Sequence, residues 1–468
     1  LGASDAKYVT AGTDIDIFTG CFNSGDIEVG GEGTINELWA CSFIGYLSQG
    51  ATFTNCYTAE NTKVDIKIKE IKANACSGWI GECRQHGGGD KYTFSNCSAK
   101  AITTYDSAVG GALRFTGLIG GNNALGNPSG SQVVTVTDCI VGGETHIHGT
   151  ANTISYGGLI RYPYGASSKY YFTRCTNDCD AYIDATTTSQ IEAGGIGGYI
   201  SATLIVDKDT KVTADFNFSG KTGSYLAYGG YWGNINHGDP TDKYEGTHSG
   251  NITVTGTVGT NLVLGGIGAQ HKAKINLDNT VNTGNIYLGT AEKSLTVGAN
   301  AENYIRVGGI SCGGATGYDA NNLVHSLNNV TNTGDIILQN VEFKMAAERV
   351  WIGGIMGYAS SSVTGATVHC KIQSGDIPNV GIVMGSARVA DTLDDAGAVS
   401  KAGIRAIDCK VGGTILNEWN DEEQIYEGKT LNSSNFHNYI YGSGRSTDWT
   451  GTDNYDGCTL LASKPTFN

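Results

Sequence analysis

The stretch that decides the fold is Gly353-Gly354-Ile355-Met356-Gly357-Tyr358, a glycine box that returns along the chain in related forms. Fuller copies are Gly194-Gly195-Ile196-Gly197-Gly198-Tyr199, Gly265-Gly266-Ile267-Gly268 and Gly308-Gly309-Ile310, and shorter ones are Gly157-Gly158-Leu159-Ile160, Gly229-Gly230-Tyr231 and Ile44-Gly45-Tyr46. From Gly157 onward, the first glycines of the boxes are separated by 37, 35, 36, 43 and 45 residues. A recurring interval of this length indicates a repeat architecture in which each repeat is one structural unit.

A second element recurs in phase with the box, and its first copy is Cys21-Phe22-Asn23-Ser24-Gly25-Asp26-Ile27. Further copies are Asn282-Thr283-Gly284-Asn285-Ile286, Asn332-Thr333-Gly334-Asp335-Ile336 and Cys370-Lys371-Ile372-Gln373-Ser374-Gly375-Asp376-Ile377, and degenerate copies begin at Cys56, Cys97, Cys139, Cys175 and Cys409. The first five cysteines of this series are spaced by 35, 41, 42 and 36 residues. Two elements that share one period predict a single repeat region over residues 21–415.

Each repeat is predicted to contain short strands separated by turns. Ile252-Thr253-Val254 and Val133-Val134-Thr135-Val136-Thr137 are rich in β-branched residues and roughly alternate, which suits half-buried strands. The Asn-Thr-Gly that precedes Asp335-Ile336 is typical of a turn, and no segment has a sustained helical period. The prediction is an all-β right-handed parallel β-helix (β-solenoid) of about ten coils, with one repeat per coil. A set of glycine-rich β-sandwich domains is the alternative.

The solenoid is expected to have irregular ends, because the outer coils need pieces that cover their apolar faces and strand edges. Residues 1–20 form a predicted N-terminal cap segment, and residues 416–468 form a C-terminal cap or contact segment. Within the coils, the glycine pairs let neighbouring backbones approach closely. The box isoleucines are predicted to point into a shared core, namely Ile196, Ile267, Ile310 and Ile355.

Composition and charge exclude several classes of function. Lys and Arg number 30 against 45 Asp and Glu, a net charge of −15, whereas a nucleic-acid-binding protein needs a basic surface. No apolar run reaches the roughly 18 residues of a membrane span. With 69 glycines but only 5 prolines and no three-residue period, the chain is not collagen-like. We therefore expect neither nucleic acid nor a membrane span.

Thirteen cysteines raise the question of disulfides. Seven of them are predicted to share one repeat position and to stack as a ladder with a spacing of about 4.8 Å between coils: Cys21, Cys56, Cys97, Cys139, Cys175, Cys370 and Cys409. We expect most of the ladder to be reduced and buried, because cysteine behaves as a small apolar residue and a continuous row cannot all pair. Cys76 with Cys83, and Cys175 with Cys179, are the candidates for local disulfides.

Two patterns resemble catalytic or metal sites. Glu144, His146 and His148 alternate, so a strand would place all three on one face, where two imidazoles and a carboxylate could bind zinc. The alternative is an ordinary polar outer face. Gly309-Ile310-Ser311-Cys312-Gly313 matches the nucleophile elbow by letter, but it lies inside a glycine box and lacks the required strand, turn and helix context. We therefore expect no catalytic centre and no cofactor.

Two surface patterns bear on ligands. Exposed tyrosines could bind a glycan, the candidates being Tyr162, Tyr164, Tyr170 and Tyr171. Thr-x-Thr occurs at Thr135/Thr137 and at Thr253/Thr255, and its predicted failure to continue in register argues against an ice-binding face.

The glycine box, the Cys or Asn before a small-residue turn and the closing Gly-x-Ile together resemble GLUG-type repeats over residues 21–415. The chain departs from the usual Gly-Gly-Leu-Val-Gly by preferring isoleucine, and its copies between about 200 and 260 are eroded. Such repeats occur in bacterial secreted and cell-surface proteins, including adhesins. The resemblance implies an extracellular or cell-surface role. Because the titratable residues are scattered and a solenoid ends in open strand edges, we expect a structural or adhesive protein, not an enzyme, that associates with itself or with other surface proteins. The alternatives are a carbohydrate-active β-helix enzyme, either a lyase or a hydrolase, and a glycan-binding module.

Overall fold

The computed structural model describes residues 16–47, 50–83, 91–120, 132–236, 243–271, 276–313, 326–359, 362–387, 392–393, 399–400, 406–420, 422–423, 425–443 and 457–467. Over these residues the chain has 52 strands, two 3₁₀ helices at Ala347–Arg349 and Phe436–Tyr439, and no α-helix. Nearly all strands pair in parallel with strands one repeat before and one repeat after, so the protein is a parallel β-solenoid. The right-handed sense of the coil stays a prediction.

Strands at equivalent positions of successive coils form six stacks. Stack 1 is a ten-stranded parallel sheet: Leu38–Leu47, Ala75–Cys83, Ala112–Ile119, Thr153–Gly157, Ile191–Gly194, Leu226–Gly229, Leu262–Gly265, Ile305–Gly308, Val350–Gly353 and Asn379–Gly381. Stack 2 follows the glycine box: Gly197–Val206, Trp232–Ile235, Gly268–His271, Ser311–Gly313, Met356–Ala359, Met384–Ala387 and Tyr441–Ser443.

Stacks 3 and 4 continue each coil. Stack 3 contains Asp16–Thr19, Ala51–Thr54, Lys91–Ser95, Val133–Thr137, Tyr164–Thr173, the end of Gly197–Val206, Lys243–His248, Asn276–Asn282, Ser326–Asn328, Val363–Thr364 and Ala406–Ile407. Stack 4 contains Phe22–Asn23, Tyr57–Thr58, Ser98–Ala99, Ile140–Ala151, Thr176–Ile183, Lys211–Val212, the ends of Lys243–His248 and Asn276–Asn282, Thr331–Asn332, Thr367–Gln373, Lys410–Asn420 and Thr459–Leu460.

Stacks 5 and 6 close the coil. Stack 5 contains Ile27–Ile35, Lys63–Ile71, Ile102–Val109, Phe216–Phe218, Ile252–Val254, Ile286–Leu288 and Ile336–Leu338, together with the later parts of the four long stack 4 strands. Stack 6 contains Thr186–Thr187, Lys221–Thr222, Gly256–Val258, Leu295–Val297 and Val341–Phe343. Ile425–Thr430 and the pair Thr392–Leu393 with Val399–Ser400 are antiparallel.

The glycine box makes the bend from stack 1 to stack 2, and its glycines lie where a side chain has no room. A Cβ on Gly309, a second glycine of the box, would lie 2.1 Å from the Gly354 carbonyl oxygen and 2.2 Å from the Asn332 side chain. A Cβ on Gly308, the first glycine, would lie 1.8 Å from the Ser311 carbonyl oxygen. Successive coils therefore meet backbone to backbone at the box. The box isoleucines are fully buried in the common core: Ile196, Ile267, Ile310 and Ile355.

The recurring Asp-Ile and Asn-Ile pairs form a hydrogen-bonded ladder along stack 5. The Asp215 amide donates to Asp180 Oδ1 at 2.8 Å, and Asp215 Oδ1 accepts the amide of Asn251 at 2.6 Å. The same bond joins Asn251 to Asn285, Asn285 to Asp335 and Asp335 to Lys371. Each side chain therefore satisfies a backbone amide of the next coil, which explains in physical terms why this motif repeats.

The cysteine ladder lies at the corner between stacks 3 and 4. Each ladder cysteine follows a residue in left-handed backbone, for example Asn55 with φ 55° and Asn96 with φ 52°. The thiol then donates back to a strand carbonyl, as Cys97 Sγ does to the Ser95 oxygen at 3.4 Å. None of the thirteen cysteines forms a disulfide, and six of the seven predicted ladder cysteines are buried, all but Cys21.

The register corrects the membership of this ladder. Cys370 pairs with Gly413 in stacks 4 and 5, so its predicted place in the ladder is wrong. Thr367 pairs with Lys410, which places Ala366 beside Cys409 instead. For the same reason Lys371-Ile372, rather than Asp376-Ile377, continues the Asp-Ile position.

Neither predicted local disulfide forms. Cys76, Cys83, Cys175 and Cys179 are all buried thiols without a disulfide bond.

One interior column of stack 4 is polar. The His248 ring donates through Nδ1 to Asn282 Oδ1 at 2.8 Å, and Asn282 Nδ2 donates to Asn332 Oδ1 at 2.8 Å. All three side chains are fully buried. Burial lowers the pKa of His248 to about 4, against a smaller opposing effect of its hydrogen bond with Asn282. The imidazole is therefore neutral at pH 7.

The two ends of the solenoid differ. Among the described residues, the first strands of stacks 3, 4 and 5 pair only with the following coil, and Ile17 and Phe22 are 74% and 61% exposed. At the other end, Ile425–Thr430 covers the last stack 5 strand by antiparallel pairing. Tyr441–Ser443 and Thr459–Leu460 extend stacks 2 and 4. The domain boundaries after residues 20 and 415 stay predictions.

Candidate binding site

Stack 1 and stack 2 face each other along the length of the solenoid, and we call the line where their side chains meet the seam. On the stack 1 side the register aligns Trp39, Cys76, Arg114, Ser155, Glu192, Ala227, Val263, Arg306 and Trp351. On the stack 2 side it aligns Tyr46 with Glu82, Tyr199 with Asn234 and Gln270, and Tyr358 with Ser386. The seam therefore collects aromatic, acidic and basic side chains from sequence-distant repeats.

Arg161 replaces a glycine in the seam. The bridges of Ile160 with Ile119 and Gly197 place Arg161 beside Gly120 and Gly198, where most repeats have glycine. Its side chain is 3% exposed, and Nε donates to the Gly120 carbonyl oxygen at 2.9 Å. Burial lowers the pKa of Arg161 to about 10, so the guanidinium is charged at neutral pH, and among the described residues its Nη2 has no hydrogen-bond partner.

Two carboxylates belong to the same cluster. Glu82 is 1% exposed, accepts a hydrogen bond from Trp39 Nε1 at 2.9 Å and interacts electrostatically with Arg161. Glu192 is 7% exposed and accepts hydrogen bonds from the Tyr225 hydroxyl and, at 2.8 Å, from Asn234 Nδ2. Burial first, and then the Glu192 charge, raise the pKa of Tyr225, which keeps its hydroxyl protonated as a donor.

Tyrosine rings form the exposed edge of this cluster. The Tyr162 ring centroid lies 5.3 Å from that of Tyr164 and 5.0 Å from that of Tyr199, and all three side chains are partly exposed. The Arg161 guanidinium lies 5.4 Å from the Tyr162 ring. Of the other predicted tyrosines, Tyr170 is buried and bonded to Gln132 at 3.1 Å, so it does not contribute to a surface. Tyr171 lies on stack 3, away from the seam.

A second aromatic cluster lies farther along the seam. The Arg306 guanidinium, 2% exposed, lies 4.5 Å from the Tyr304 ring, 5.6 Å from Trp351 and 4.2 Å from Tyr358. Trp351 and Tyr358 contact each other edge to face with centroids 5.0 Å apart. Because the rings enclose the cation and Arg306 is buried, this cluster is a packed joint between the two stacks rather than an accessible site.

The spacing of the two seam carboxylates does not suit glycoside hydrolysis. Glu82 and Glu192 lie in Ala75–Cys83 and Ile191–Gly194, which are three coils apart in stack 1 order. At about 4.8 Å per coil their strands are roughly 14 Å apart. Paired catalytic carboxylates lie about 5 to 10 Å apart. The cluster of Arg161, Glu192 and the tyrosines is thus suited to hold a polar ligand rather than to attack it.

Glu144, His146 and His148 do share one face of Ile140–Ala151, as their alternation predicts. His146 Nε2, however, is hydrogen-bonded to Glu144 Oε2 at 2.9 Å, and its ring stacks on Tyr182 at 4.8 Å. The rings of His146 and His148 lie 6.4 Å apart. Within the described part of the chain, no group of three or more His, Cys, Asp or Glu side chains could hold a metal ion.

Ser311 has a partner that sequence reasoning missed. His271 Nε2 and Ser311 Oγ are hydrogen-bonded across neighbouring coils, and the Gly313 amide donates to Ser311 Oγ at 3.1 Å. Ser311 is 0% exposed and His271 is 1% exposed, so a substrate has no access to the pair. Ser311 also begins a strand, Ser311–Gly313, and not the helix of a nucleophile elbow.

The Thr-x-Thr pattern continues in register, contrary to the prediction. Thr135 pairs with Thr93 and Thr93 with Thr52, while Thr137, Ser95 and Thr54 align beside them. In the coil after Thr135 the aligned residue is Tyr171, and in the coil before Thr52 it is Ile17. The paired hydroxyl columns are therefore complete over three coils of stack 3 and then end.

Among the described residues no helix is long and apolar enough to cross a bilayer. Comparison of the chain with protein-family models, curated proteins and solved structures found no match. The resemblance to GLUG-type repeats therefore stays a prediction, and the seam is described from its own geometry.

Proposed function

We propose that this chain is a non-catalytic structural or adhesive protein of the cell surface or extracellular space, which acts by its shape and by association of its ends. The observation that carries the proposal is the open first coil. Its stack 3, 4 and 5 strands pair on one side only among the described residues, and unpaired parallel edges are templates for another strand. Around this end lie the exposed Ile17 and Phe22.

The short length of the solenoid supports a role through association of several molecules rather than as a single long stalk. Twelve strands in stack 4 at about 4.8 Å per coil give a solenoid only roughly 53 Å long. A cavity of about 330 Å³ opens at the first coil, lined by Cys21, Phe22, Asn23, Ile27, Cys41, Ser42 and Phe43. Apolar contacts there would supplement the strand edges in contacts with another copy or another surface protein.

Electron microscopy and analytical ultracentrifugation of the purified chain test this proposal. Ile17→Asp adds a charge to the open end, and Ile140→Asp adds the same charge at a lateral position where Ile140 is 41% exposed. Wild-type protein and Ile140→Asp should form end-to-end particles, and Ile17→Asp should remain monomeric. Equal association of all three proteins, or association in none, would contradict the proposal. Turnover of any polysaccharide or ester in a substrate panel would favour the enzyme alternative.

A glycan-binding module is the second candidate, because the seam supplies a specific arrangement for it. Tyr162, Tyr164 and Tyr199 present partly exposed rings beside the hydrogen-bonding groups of Glu192 and Asn234. Rings next to a few fixed polar groups are the usual composition of small-ligand sites.

Binding to a glycan array, followed by calorimetry, tests the second candidate. Tyr162→Ala should weaken binding at least tenfold, whereas Tyr171→Ala, a partly exposed tyrosine of stack 3, should leave it unchanged. Equal binding by both variants would remove the seam from consideration.

A further inference from the structure

The cysteine ladder ends in a partly exposed cysteine on each side. Phe22 pairs with Tyr57, which places Cys21 of the first coil beside Cys56. Lys410 pairs with Thr459, which places Cys458 beside Cys409 and adds to the ladder a cysteine that lies outside the predicted repeats. Cys21 and Cys458 are partly exposed, whereas the ladder cysteines between them are buried.

We propose that in an oxidising environment Cys21 bonds to Cys56 and Cys458 bonds to Cys409, and that these two disulfides fasten the first and last stack 4 strands to the solenoid. The inference goes beyond the proposed function, because it concerns covalent closure of both ends whatever they bind. It also divides the ladder into reactive end pairs and inert interior pairs.

Strand spacing separates the end pairs from the interior pairs. Aligned Cβ atoms of parallel neighbours are about as far apart as their strands, roughly 4.8 Å, whereas a disulfide brings its Cβ atoms to about 3.8 Å. A pair inside the ladder, such as Cys97 and Cys139, is held by coils on both sides and cannot close this gap. Among the described residues, the end strands Phe22–Asn23 and Thr459–Leu460 each pair with a neighbour on one side only, so either can shift towards that neighbour.

The residue that precedes each end cysteine also differs from the residue that precedes its partner. The two end cysteines follow glycines in left-handed backbone, Gly20 with φ 62° and Gly457 with φ 73°. Their partners follow Asn55 and Asp408, with φ 55° and 51°. Because glycine adopts other backbone conformations at little cost, the corner before each end cysteine can change while the corner before its partner stays fixed.

The thiols at the C-terminal end are already in contact. Cys458 Sγ donates to the Ala406 carbonyl oxygen at 3.4 Å, and Cys409 Sγ contacts the Ile407 carbonyl oxygen at 3.4 Å. A hydrogen bond with the Cys458 thiol, followed by burial, raises the pKa of the Cys409 thiol. The partly exposed Cys458 is therefore the one to react first with a disulfide reagent in solution. The buried Cys409 thiol then attacks the Cys458 sulfur and displaces the reagent thiol.

Each bond requires an oxidant, and we name a low-molecular-weight disulfide such as oxidised glutathione. The end cysteine thiolate attacks one sulfur of the reagent, forms a mixed disulfide and releases one thiol. The buried partner then attacks the protein sulfur of the mixed disulfide and releases the second thiol. Two protein thiols lose two electrons and two protons, and one reagent disulfide becomes two thiols.

Disulfide mapping of the full chain tests the proposal. The folded protein is incubated with oxidised glutathione, denatured, alkylated without reductant, digested and analysed by mass spectrometry. We expect Cys21–Cys56 and Cys409–Cys458 linkages, with Cys97, Cys139 and Cys175 alkylated. Linkages inside the ladder, linkages between molecules, or thiols throughout after prolonged oxidation would overturn it.

Thermal unfolding gives a second readout. Oxidation should raise the Tm of the wild-type protein, and Cys458→Ser should reduce that shift while leaving the Tm of the reduced protein unchanged. Cys41→Ser is the matched control, because Cys41 is also partly exposed but lies in Leu38–Leu47, outside the ladder. An equal reduction of the shift by both variants would contradict the assignment, and if Cys458→Ser fails to fold, the mapping of the wild-type protein decides.

Discussion

Protonation of His248 is predicted to destabilise the folded protein as the pH falls. The imidazole is fully buried, and its Nδ1–H donates to Asn282 Oδ1 at 2.8 Å. Its Nε2 is also buried and has no hydrogen-bond partner in the part of the chain that the structure describes. A second proton on this ring would place an uncompensated charge in the core, which explains why the pKa of His248 falls to about 4.

The sign and size follow from the two pKa values. The unfolded chain binds a proton at this ring below its ordinary pKa of 6.5, whereas the folded protein binds it only below about 4. Between these values the unfolded state holds more protons, so the free energy of unfolding decreases as the pH decreases. The contribution is intact above pH 6.5, and its loss by pH 4 amounts to about 3 kcal/mol at roughly 1.4 kcal/mol per pH unit.

The variant His248→Asn isolates this effect. An asparagine would extend the bonding of Asn282 and Asn332 by one coil without titrating. Urea unfolding at pH 7, 6, 5 and 4 should show the wild-type protein losing about 3 kcal/mol more than the variant. Titration of carboxyl groups affects both proteins and cancels in the difference. His369→Asn, which changes a partly exposed histidine of stack 4, should follow the wild-type curve. Parallel loss of stability by the wild-type protein and His248→Asn would refute the reasoning.

Three further substitutions test the repeat elements by chemical denaturation. Gly309→Ala, whose Cβ would lie 2.1 Å from a neighbouring carbonyl oxygen, should cost at least about 2 kcal/mol, whereas Gly31→Ala, with nothing within 4 Å, should change stability by less than about 0.5 kcal/mol. Ile355→Asp buries an unpaired charge and should cost several kcal/mol or prevent folding, and a melting temperature equal to the parent's would remove the box from the core. Asp215→Ala breaks a rung of the stack 5 ladder and should cost about 1 to 2 kcal/mol, unlike substitution of the exposed Asp184; equal effects would contradict the ladder.

The architecture could be predicted from the sequence because its two signals arise from contacts that every coil must make. The box glycines recur because a Cβ such as that on Gly309 would enter the backbone of the next coil. The Asp-Ile pairs recur because Asp215 and its equivalents satisfy the amide of the next coil. Even the eroded stretch around Gly229-Gly230-Tyr231 forms a complete coil, with Leu226–Gly229 in stack 1. Its tyrosine fills the place of the isoleucine and is fully buried.

Aligning the repeats by their sequence motifs failed where the turn between two motifs changes length. Cys370 resembles the ladder by letter, but pairing with Gly413 puts it four residues beyond the ladder position. Cys458 does occupy the ladder position, beside Cys409. No repeat motif in the sequence predicts this, because Cys458 lies outside the predicted repeats. Residue letters alone do not specify register; hydrogen bonding between neighbouring strands does.

The seam was harder to predict, because its members occupy different offsets in their repeats. Glu82 follows the bend of its own coil and Glu192 precedes the bend of its coil, so only the register and the bend at the box bring them to the same seam. One signal was available. Arg161 follows Gly157-Gly158-Leu159-Ile160 at the place where most boxes have glycine or another small residue, and such a departure marks a coil with a local role.

The stacking of coils is the central claim, and the distance between two spin labels, measured by pulsed electron–electron double resonance, tests it directly. The outward column of stack 5 aligns Asp65, Asn217 and Tyr287, with four coil steps from the first to the second and six to the third. Labels carried on an unnatural ketone amino acid would avoid the native thiols. Coils about 4.8 Å apart predict separations of roughly 19 Å for the first pair and roughly 29 Å for the second. Separations that do not grow with the number of coils would contradict the solenoid.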